Sequence, residues 1–284
     1  MTKKDVKYLI GSILYPLPRT LAHKIYYFIV THKKLHLKGN MDFNEKIHYM
    51  CIYEHGKYES DNSDKYLVRE FVKKKGYEDI LVPLIGVFKT VDEIDFNKLP
   101  SKCVLKTNHG SGDVIIYEKG KSNVSKIKKQ LAKDLKRNFA KVSLEYHYKD
   151  IKPLIICEEF LDDFENEVPL DYKFSCFNGK PLYVGIYANR KAKLQRVFYN
   201  MNWEKQDILV HDDGCSFPKP KNFEKMIKIV TDLADNRKFV RVDFYNINGK
   251  IYFGELTYTP AAGYYRCFTQ ECLDEMGDLI LLNK

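Results

Sequence analysis

The feature that most constrains the fold lies near the C-terminal end of the chain, where residues 241–257 read RVDFYNINGKIYFGELT. Apolar and polar side chains alternate on both sides of Asn248-Gly249, a dipeptide typical of tight turns. The run therefore predicts a β-hairpin with one apolar face turned toward a core and one polar face.

The register of this hairpin decides which side chains share the polar face, because a one-residue slip moves every side chain to the other face. If Asn248-Gly249 were the whole loop, Asp243 and Glu255 would lie on opposite faces. A three-residue loop, with its glycine left-handed in a bulge, pairs Asn246 with Lys250 and brings the two carboxylates onto one face. We therefore predict the three-residue loop.

In that register Arg241 and Thr257 flank Asp243 and Glu255. Two converging carboxylates are costly without a cation, and hard oxygen ligands of this kind suit Mg²⁺ carrying nucleotide phosphates. From this segment alone, an amphipathic hairpin with a solvated charged face is an equally good interpretation.

The composition is that of an ordinary globular protein, with 284 residues of which 44% are hydrophobic and 30% charged. The formal net charge of +9 favours an anionic partner: a nucleotide, a phosphorylated or uronic acid glycan, a membrane surface or a nucleic acid. No recognised nucleic-acid motif accompanies the lysine clusters at 73–75 and 126–141. We therefore expect no nucleic-acid partner.

The seven cysteines are odd in number and scattered, and no C-x-x-C pair occurs among them. We expect neither zinc nor a disulfide framework, and a reducing cytoplasm fits best. Cys103 and Cys157 lie in apolar strand-like runs and are expected to be core residues.

The N-terminal residues are basic and aromatic, but their apolar stretch at 8–16 is shorter than the ~18 residues needed to span a bilayer. Such a segment could lie on an anionic membrane surface, although packing against the protein body is favoured. We expect a cytoplasmic protein, with peripheral contact at the inner membrane face as a further option.

The order of predicted elements indicates an α+β fold. Residues 1 to about 60 read as helical, as does 64–75 with Gly76 as its stop, and Ser125 is the expected cap of a third helical region. Strands are predicted at 80–87, 103–106, 113–117 and 154–157, followed by a hairpin at 171–189 about Asn178-Gly179, a helix from Asn222, and the hairpin at 241–257.

Two further segments carry weak signals when each is taken alone. Lys106 ends a buried strand and precedes the loop Gly110-Ser111-Gly112, whose backbone N–H groups could close over phosphate. It is not a Walker loop, because the lysine precedes the glycines, and an ordinary hairpin turn is the favoured interpretation. Residues 158–161 end an apolar strand and could form a linker whose backbone contacts an adenine edge.

In combination and in order, these pieces resemble the ATP-grasp superfamily. The resemblance rests on the segments 64–65, 104–106, 110–112, 158–161, 171–174, 241–243 and 255–260. Within the superfamily, the runs 44–47, 105–112 and 253–260 are similar to the subgroup that resembles the teichuronopeptide biosynthesis protein. This resemblance implies a nucleotide held between two α+β subdomains, with a helical N-terminal region. The implied division is 1–60 helical, 61–100 a preceding segment, 101–161 the small subdomain and 162–284 the C-terminal subdomain with the metal site.

The resemblance also implies roles for individual residues. The phosphates of ATP would contact Lys65, Lys106 and the loop of Gly110, Ser111 and Gly112. The adenine would be held by Glu158, Glu159, Phe160 and Leu161, and the ribose by Asp171. The Mg²⁺ ligands would be Asp243, Glu255 and Thr257, while Arg241 and Lys173 would be catalytic. Thr257 departs from the superfamily, where most members carry a metal-binding Asn.

The implied reaction is ATP- and Mg²⁺-dependent activation of a carboxylate to an acyl phosphate, which an amine then attacks to form an amide. The subgroup implies bacterial capsule or other surface polysaccharide biosynthesis, with a uronic acid or amino acid carboxylate as substrate. Lys173, Arg190 and Arg196 could face this anionic substrate, although solvated positions are favoured for both arginines.

Two other classes of function remain open from the sequence. One is an enzyme of the same pathway, either a glycosyltransferase or a sugar kinase. The other is a non-catalytic nucleotide-binding module, which the threonine at 257 slightly favours.

Overall fold

A computed structural model describes residues 3–112, 114–163, 169–188 and 194–282. The chain begins with helices, as predicted. They are α1 (Lys3–Leu14), α2 (Arg19–Thr31), α3 (Phe43–Tyr53), α4 (Lys57–Ser63) and α5 (Val68–Lys74). The helix predicted for 64–75 begins only at Val68, because the Asp64 side chain accepts a 2.8 Å hydrogen bond from the backbone N–H of Tyr66 and folds the preceding residues into a turn.

The first sheet contains four antiparallel strands in the order β1-β4-β2-β3. They are β1 (Leu84–Phe88), β2 (Lys102–Thr107), β3 (Val114–Glu118) and β4 (Ile155–Glu159). Helix α6 (Val124–Leu135) packs Ile127 and Leu131 against one face. Asn123 caps this helix through a 2.9 Å bond to the Lys126 N–H, so the predicted Ser125 cap is wrong. The predicted first strand also starts later, because residues 78–80 form a 3₁₀ turn.

The second sheet contains five antiparallel strands in the order β7-β6-β5-β8-β9. They are β5 (Asp171–Phe177), β6 (Lys180–Ala188), β7 (Gln195–Tyr199), β8 (Phe239–Ile247) and β9 (Lys250–Thr257). Helix α8 (Phe223–Ala234) covers it with an apolar stripe that includes Phe223, Met226 and Val230. The hairpin about Asn178-Gly179 and the α+β class are confirmed. Two further helices complete the described elements, α7 (Ala140–Ser143) and α9 (Gln270–Asp278).

The N-terminal helices pack against the protein body on one side. Leu14 of α1 lies in a buried cluster with Tyr26 of α2 and with Leu144 and Tyr146. No helix among the described residues is long and apolar enough to cross a membrane.

The turn between β8 and β9 differs from the predicted one. Ile247 pairs with Lys250, so the loop has only two residues, and both adopt positive φ, 51° at Asn248 and 78° at Gly249. This is the geometry that the dipeptide favours in tight hairpins. The predicted pairing of Asn246 with Lys250 is wrong, since Asn246 pairs with Ile251.

A bulge at Gly254 restores the shared face that the loop does not provide. Phe244 pairs with Phe253 but Asp243 pairs with Glu255, so Gly254 is the extra residue of β9. A Cβ at this position would lie 2.9 Å from the Asp243 carbonyl oxygen, which explains the glycine. The predicted convergence of the two carboxylates is therefore correct, although it arises from the bulge.

We expect Gly254→Ala to lower the free energy of unfolding by about 1–3 kcal/mol, because the added methyl group must push the strands apart. Urea denaturation measures this, with Lys250→Ala, an exposed position on the same strand, as the control. Equal stability of the parent and the Gly254 variant would contradict the close approach.

Candidate functional site

The polar face of the β8–β9 hairpin carries a connected set of charges at one end of the second sheet. Arg241 donates two 2.7 Å hydrogen bonds to Asp243, one to each carboxylate oxygen. The same guanidinium reaches Glu255 at 3.3 Å and the Thr257 hydroxyl at 3.1 Å. Lys173 on β5 contacts Asp243 from the other side at 2.5 Å.

These cations keep the two carboxylates ionised. Burial alone would raise the pKa of Asp243, but Arg241 and Lys173 hold that pKa below its ordinary value. Lys65 and Arg241 do the same for Glu255 against burial and against the Asp243 charge. Two ionised carboxylates and a hydroxyl on one face are hard oxygen donors, and they fit a bound Mg²⁺.

Lys65, from the N-terminal half of the chain, connects these carboxylates to the glycine loop that follows β2 of the first sheet. The ammonium group of Lys65 donates a 2.6 Å hydrogen bond to the Gly110 carbonyl and lies 3.7 Å from Glu255. The turn after α4 presents it there, because the buried Asp64 side chain accepts hydrogen bonds from the N–H groups of the next residues. Lys65 therefore links the glycine loop to the carboxylates.

The second predicted lysine is held by the end of β4. Lys106 lies 2.5 Å from Glu158, whose other oxygen lies 3.5 Å from Arg69. The Glu158 side chain therefore positions Lys106, and only its backbone remains for contact with a base.

An apolar slot of about 160 Å³ lies between the two sheets, next to Lys106. The side chains of Val114 and Ile116 of β3 line this slot and are 59% and 37% accessible. The opposite wall comes from Tyr245 and Phe253 of the second sheet, and the predicted linker closes the end with Glu159, Phe160 and Leu161. Its shape and chemistry suit a flat aromatic ring.

A larger cavity of about 680 Å³ opens beyond the carboxylates. Ser111 of the glycine loop lines it on one side, and Lys7 of α1 and Tyr26 of α2 line it on another. The N-terminal helices thus form part of its wall. An adjoining basic cavity of about 440 Å³ shares Arg241 and Arg266 with the large one and is also lined by the cations Lys173 and Arg196.

Sequence reasoning missed a buried carboxylate in the large cavity. Glu145 is 8% exposed, lines the cavity with Glu255 and accepts a hydrogen bond from the Thr259 hydroxyl. Burial raises the pKa of Glu145 to about 7, although the Thr259 hydrogen bond and Lys7 act in the other direction. The only local signal was a polar residue between apolar ones.

Residues with left-handed backbone lie next to Glu145 in sequence and shortly after its partner Thr259. Leu144 has a φ of 61°, and Ala261 and Ala262, in the segment after Thr259, have φ of 51° and 55°. Such conformations are costly for residues other than glycine, and they cluster at functional sites. Both strained segments line the large cavity or adjoin a residue that does.

The structure also shows the surroundings of Asp171, of Arg196 and of His109, the residue just before the glycine loop. Asp171 is buried and lies 3.4 Å from Lys173, so it contacts the lysine and is not part of the slot lining. His109 is within 3.1 Å of the Arg137 carbonyl and steadies the glycine loop against the end of α6. Arg196 lines the basic cavity, whereas Arg190 lies outside the described residues.

The comparison with protein families decides the identity of the fold. The TupA-like ATPgrasp family matches residues 45–281. The chain belongs to this family. Helices α1 and α2, which line the large cavity, precede the matched residues. The comparison with curated protein sequences finds no match.

The chain is similar to solved structures of ligases. An L-amino acid ligase from Bacillus licheniformis is 14% identical with a TM-score of 0.51, covering 78% of this chain and 49% of that one. A D-alanine–D-alanine ligase from Bacillus anthracis, complexed with ATP, is 15% identical with a TM-score of 0.43, over 78% of this chain and 63% of that one. The chain thus spans about half the length of the first ligase. At such identities, the first likeness supports the fold alone.

Proposed function

We propose that this protein is an ATP- and Mg²⁺-dependent carboxylate–amine ligase that forms an amide through an acyl phosphate and releases ADP. The observation that carries the proposal is the alignment of an apolar slot, two lysines and an ionised carboxylate pair along one cleft between the sheets. The family membership supports the same reaction class.

In this proposal ATP lies with its adenine in the slot and its phosphates toward the hairpin. Lys106 borders the slot, and Lys65 reaches the glycine loop, so both ammonium groups lie along the path from adenine to the carboxylates. The backbone of the loop, from Gly110 to Gly112, would close over the phosphates. The ribose contact proposed for Asp171 has less support, since Lys173 already occupies its neighbourhood.

Asp243 and Glu255 would hold Mg²⁺, with the Thr257 hydroxyl as a further oxygen donor. The ion would neutralise charge on the phosphates during transfer. The Arg241 guanidinium beside this site would steady the transferred phosphoryl group and the acyl phosphate.

The basic cavity would take the carboxylate substrate. Lys173, Arg196 and Arg266 meet Arg241 there, so an anionic substrate can point its carboxylate toward the γ-phosphate. The large cavity, with Glu145 in its wall, would admit the amine. Tyr187 and Tyr265 also line the basic cavity and offer flat surfaces for a sugar ring, which favours a uronic acid over a small amino acid.

The pathway proposed is bacterial capsule or other surface polysaccharide biosynthesis in the cytoplasm. It rests on the family resemblance and on the fit of an anionic sugar to the basic cavity. The deciding experiment measures ADP, phosphate and amide formation by the purified protein with Mg-ATP, uronic acids and amines. ADP with a phosphorylated sugar would instead identify a kinase. A requirement for a sugar nucleotide would identify a glycosyltransferase, and binding without turnover a nucleotide-binding module.

We expect Lys106→Ala to weaken ATP binding by roughly tenfold or more, because a charge-assisted phosphate contact is lost. Isothermal titration in the presence of Mg²⁺ measures the change. Lys98→Ala, at a largely exposed lysine paired with Asp95, is the control. Unchanged affinity in the Lys106 variant would remove this lysine from the phosphate site.

We also propose peripheral contact of helix α1 with an anionic membrane. Its outer side exposes Val6, Leu9 and Ile13, which recur at helical spacing and are 38%, 52% and 67% accessible. Leu9→Glu together with Ile13→Glu should reduce cosedimentation with vesicles containing phosphatidylglycerol. Equal binding by parent and variant would contradict the contact.

A further inference from the structure

A buried group of sulfur and nitrogen atoms lies behind the wall of the large cavity. Its members are Cys51 near the end of α3, His55 just after that helix, and His147 in the 3₁₀ turn Tyr146–Tyr148. One possible ligand atom of each lies within 4.8 Å of the other two. Cys51 is 2% exposed and His147 is 4% exposed.

Three of the four imidazole nitrogens in this group lack a hydrogen-bond partner among the described residues. Neither ring nitrogen of His147 has a partner among the described residues, and the same holds for Nδ1 of His55. An unpaired buried polar atom costs its full desolvation free energy, and native proteins seldom leave one unsatisfied. Two unsatisfied imidazoles turned toward one thiol therefore indicate a missing partner that both nitrogen and sulfur can bind.

We propose that Cys51, His55 and His147 bind a zinc ion. One thiolate and two imidazoles are ligands that Zn²⁺ prefers, whereas Mg²⁺ requires oxygen. Tetrahedral zinc places its ligand atoms roughly 3.5 Å apart, so the three side chains must draw in slightly. The Cys51 thiol now donates to the Leu144 carbonyl at 3.5 Å, and on binding zinc it loses that proton to solvent.

A surface cavity beside His55 offers the zinc ion a route of entry and a water molecule as its fourth ligand. His55 lines a surface cavity of about 270 Å³, through which water can reach the group. Glu54 and Glu59 line the same cavity, and a carboxylate close to a zinc-bound histidine is a common second partner of its ring.

Zinc at this position would stabilise the segment that carries Glu145 in the wall of the large cavity. His147 lies two residues after Glu145, and Leu144 adopts the left-handed backbone that precedes it. A metal bridge from α3 to this segment would hold it in place without entering the ATP cleft. The expectation of no zinc rested on the absence of C-x-x-C, which cannot detect a histidine brought in from far along the chain.

The test uses the purified full chain, stripped with a chelator, reloaded with Zn²⁺ or Co²⁺ and kept in excess Mg²⁺ to occupy the carboxylate site. We expect one Zn²⁺ per chain by elemental analysis, and a cobalt-substituted protein with thiolate-to-cobalt absorption in the near ultraviolet. The carboxylate site contains no sulfur, so the band reports this group alone. A parent protein without the band would overturn the proposal.

Variants assign the ligands. Cys51→Ser should abolish the cobalt–thiolate band, and Cys272→Ser, at an equally buried cysteine of α9, should leave it intact. His55→Gln changes a partly exposed residue, so the fold should survive even if Cys51→Ser does not. It should weaken Zn²⁺ binding by more than about 100-fold, since a direct ligand is lost. A band that survives in Cys51→Ser, or unchanged affinity in His55→Gln, would overturn the assignment.

Discussion

Replacing Glu255 with glutamine should lower ATP turnover by at least about 100-fold, because one ionised metal ligand supplies several kcal/mol of charge stabilisation. Glu255 lies at the meeting point of Lys65 from the N-terminal half and Arg241 on the neighbouring strand. Glutamine keeps the shape and one oxygen but removes the charge that both cations, and in the proposal Mg²⁺, require. The concentration of Mg²⁺ for half-maximal ADP formation should rise together with the loss of rate.

Glu255 suits this test better than Asp243. Asp243 is 3% exposed and is bonded by both Arg241 and Lys173, so its replacement would remove the nearest carboxylate from two largely buried cations and would destabilise the fold. Glu255 is only partly buried, and its variant should keep its melting temperature. Glu224→Gln, at an exposed residue of α8, is the control. A Glu255 variant with the Mg²⁺ dependence of the parent would refute the metal site.

Replacing Glu145 with glutamine should separate the two halves of the reaction. We expect amide formation to fall by about 100-fold or more, because in the proposed reaction the Glu145 carboxylate would accept a proton from the incoming amine. Hydroxylamine is neutral at neutral pH and needs no such base. Formation of the hydroxamate from the acyl phosphate should therefore continue at a rate close to that of the parent.

The pH dependence of the two proteins gives a second readout. The pKa of Glu145 is raised to about 7 by burial, so its basic form increases as the pH rises through that value. Amide formation by the parent should show an inflection over the same interval, and the slower rate of the Gln variant should lack it. The exposed Glu271 of α9 provides the control, as Glu271→Gln. Equal losses of hydroxamate and amide would assign Glu145 a positioning role, and equal retention would remove it from the reaction.

Local sequence determined most of the elements and several of the site residues. The alternation along β8 and β9 and the turn at Asn248-Gly249 are short-range features, and they were enough to predict the hairpin and its charged face. Lys106 was singled out because it ends a strand before the glycine loop, whereas Lys65 was predicted only from the family resemblance. Helix starts were less accurate, since competing side-chain hydrogen bonds, as at Asp64 and Asn123, decide them.

Only the tertiary structure decided which distant groups meet. The bulge at Gly254 sets the register through contact between two strands, so the requirement that Asp243 and Glu255 share a face led to the wrong loop. Glu145 becomes a cavity residue because its segment packs against Thr259, and Cys51 meets His147 through the packing of α3 on that same segment. Hydrophobic periodicity and secondary-structure propensity act over a few residues, so they can be recognised in the sequence. Convergence of residues that are far apart in sequence depends on how whole helices and strands pack, so no local pattern predicts it.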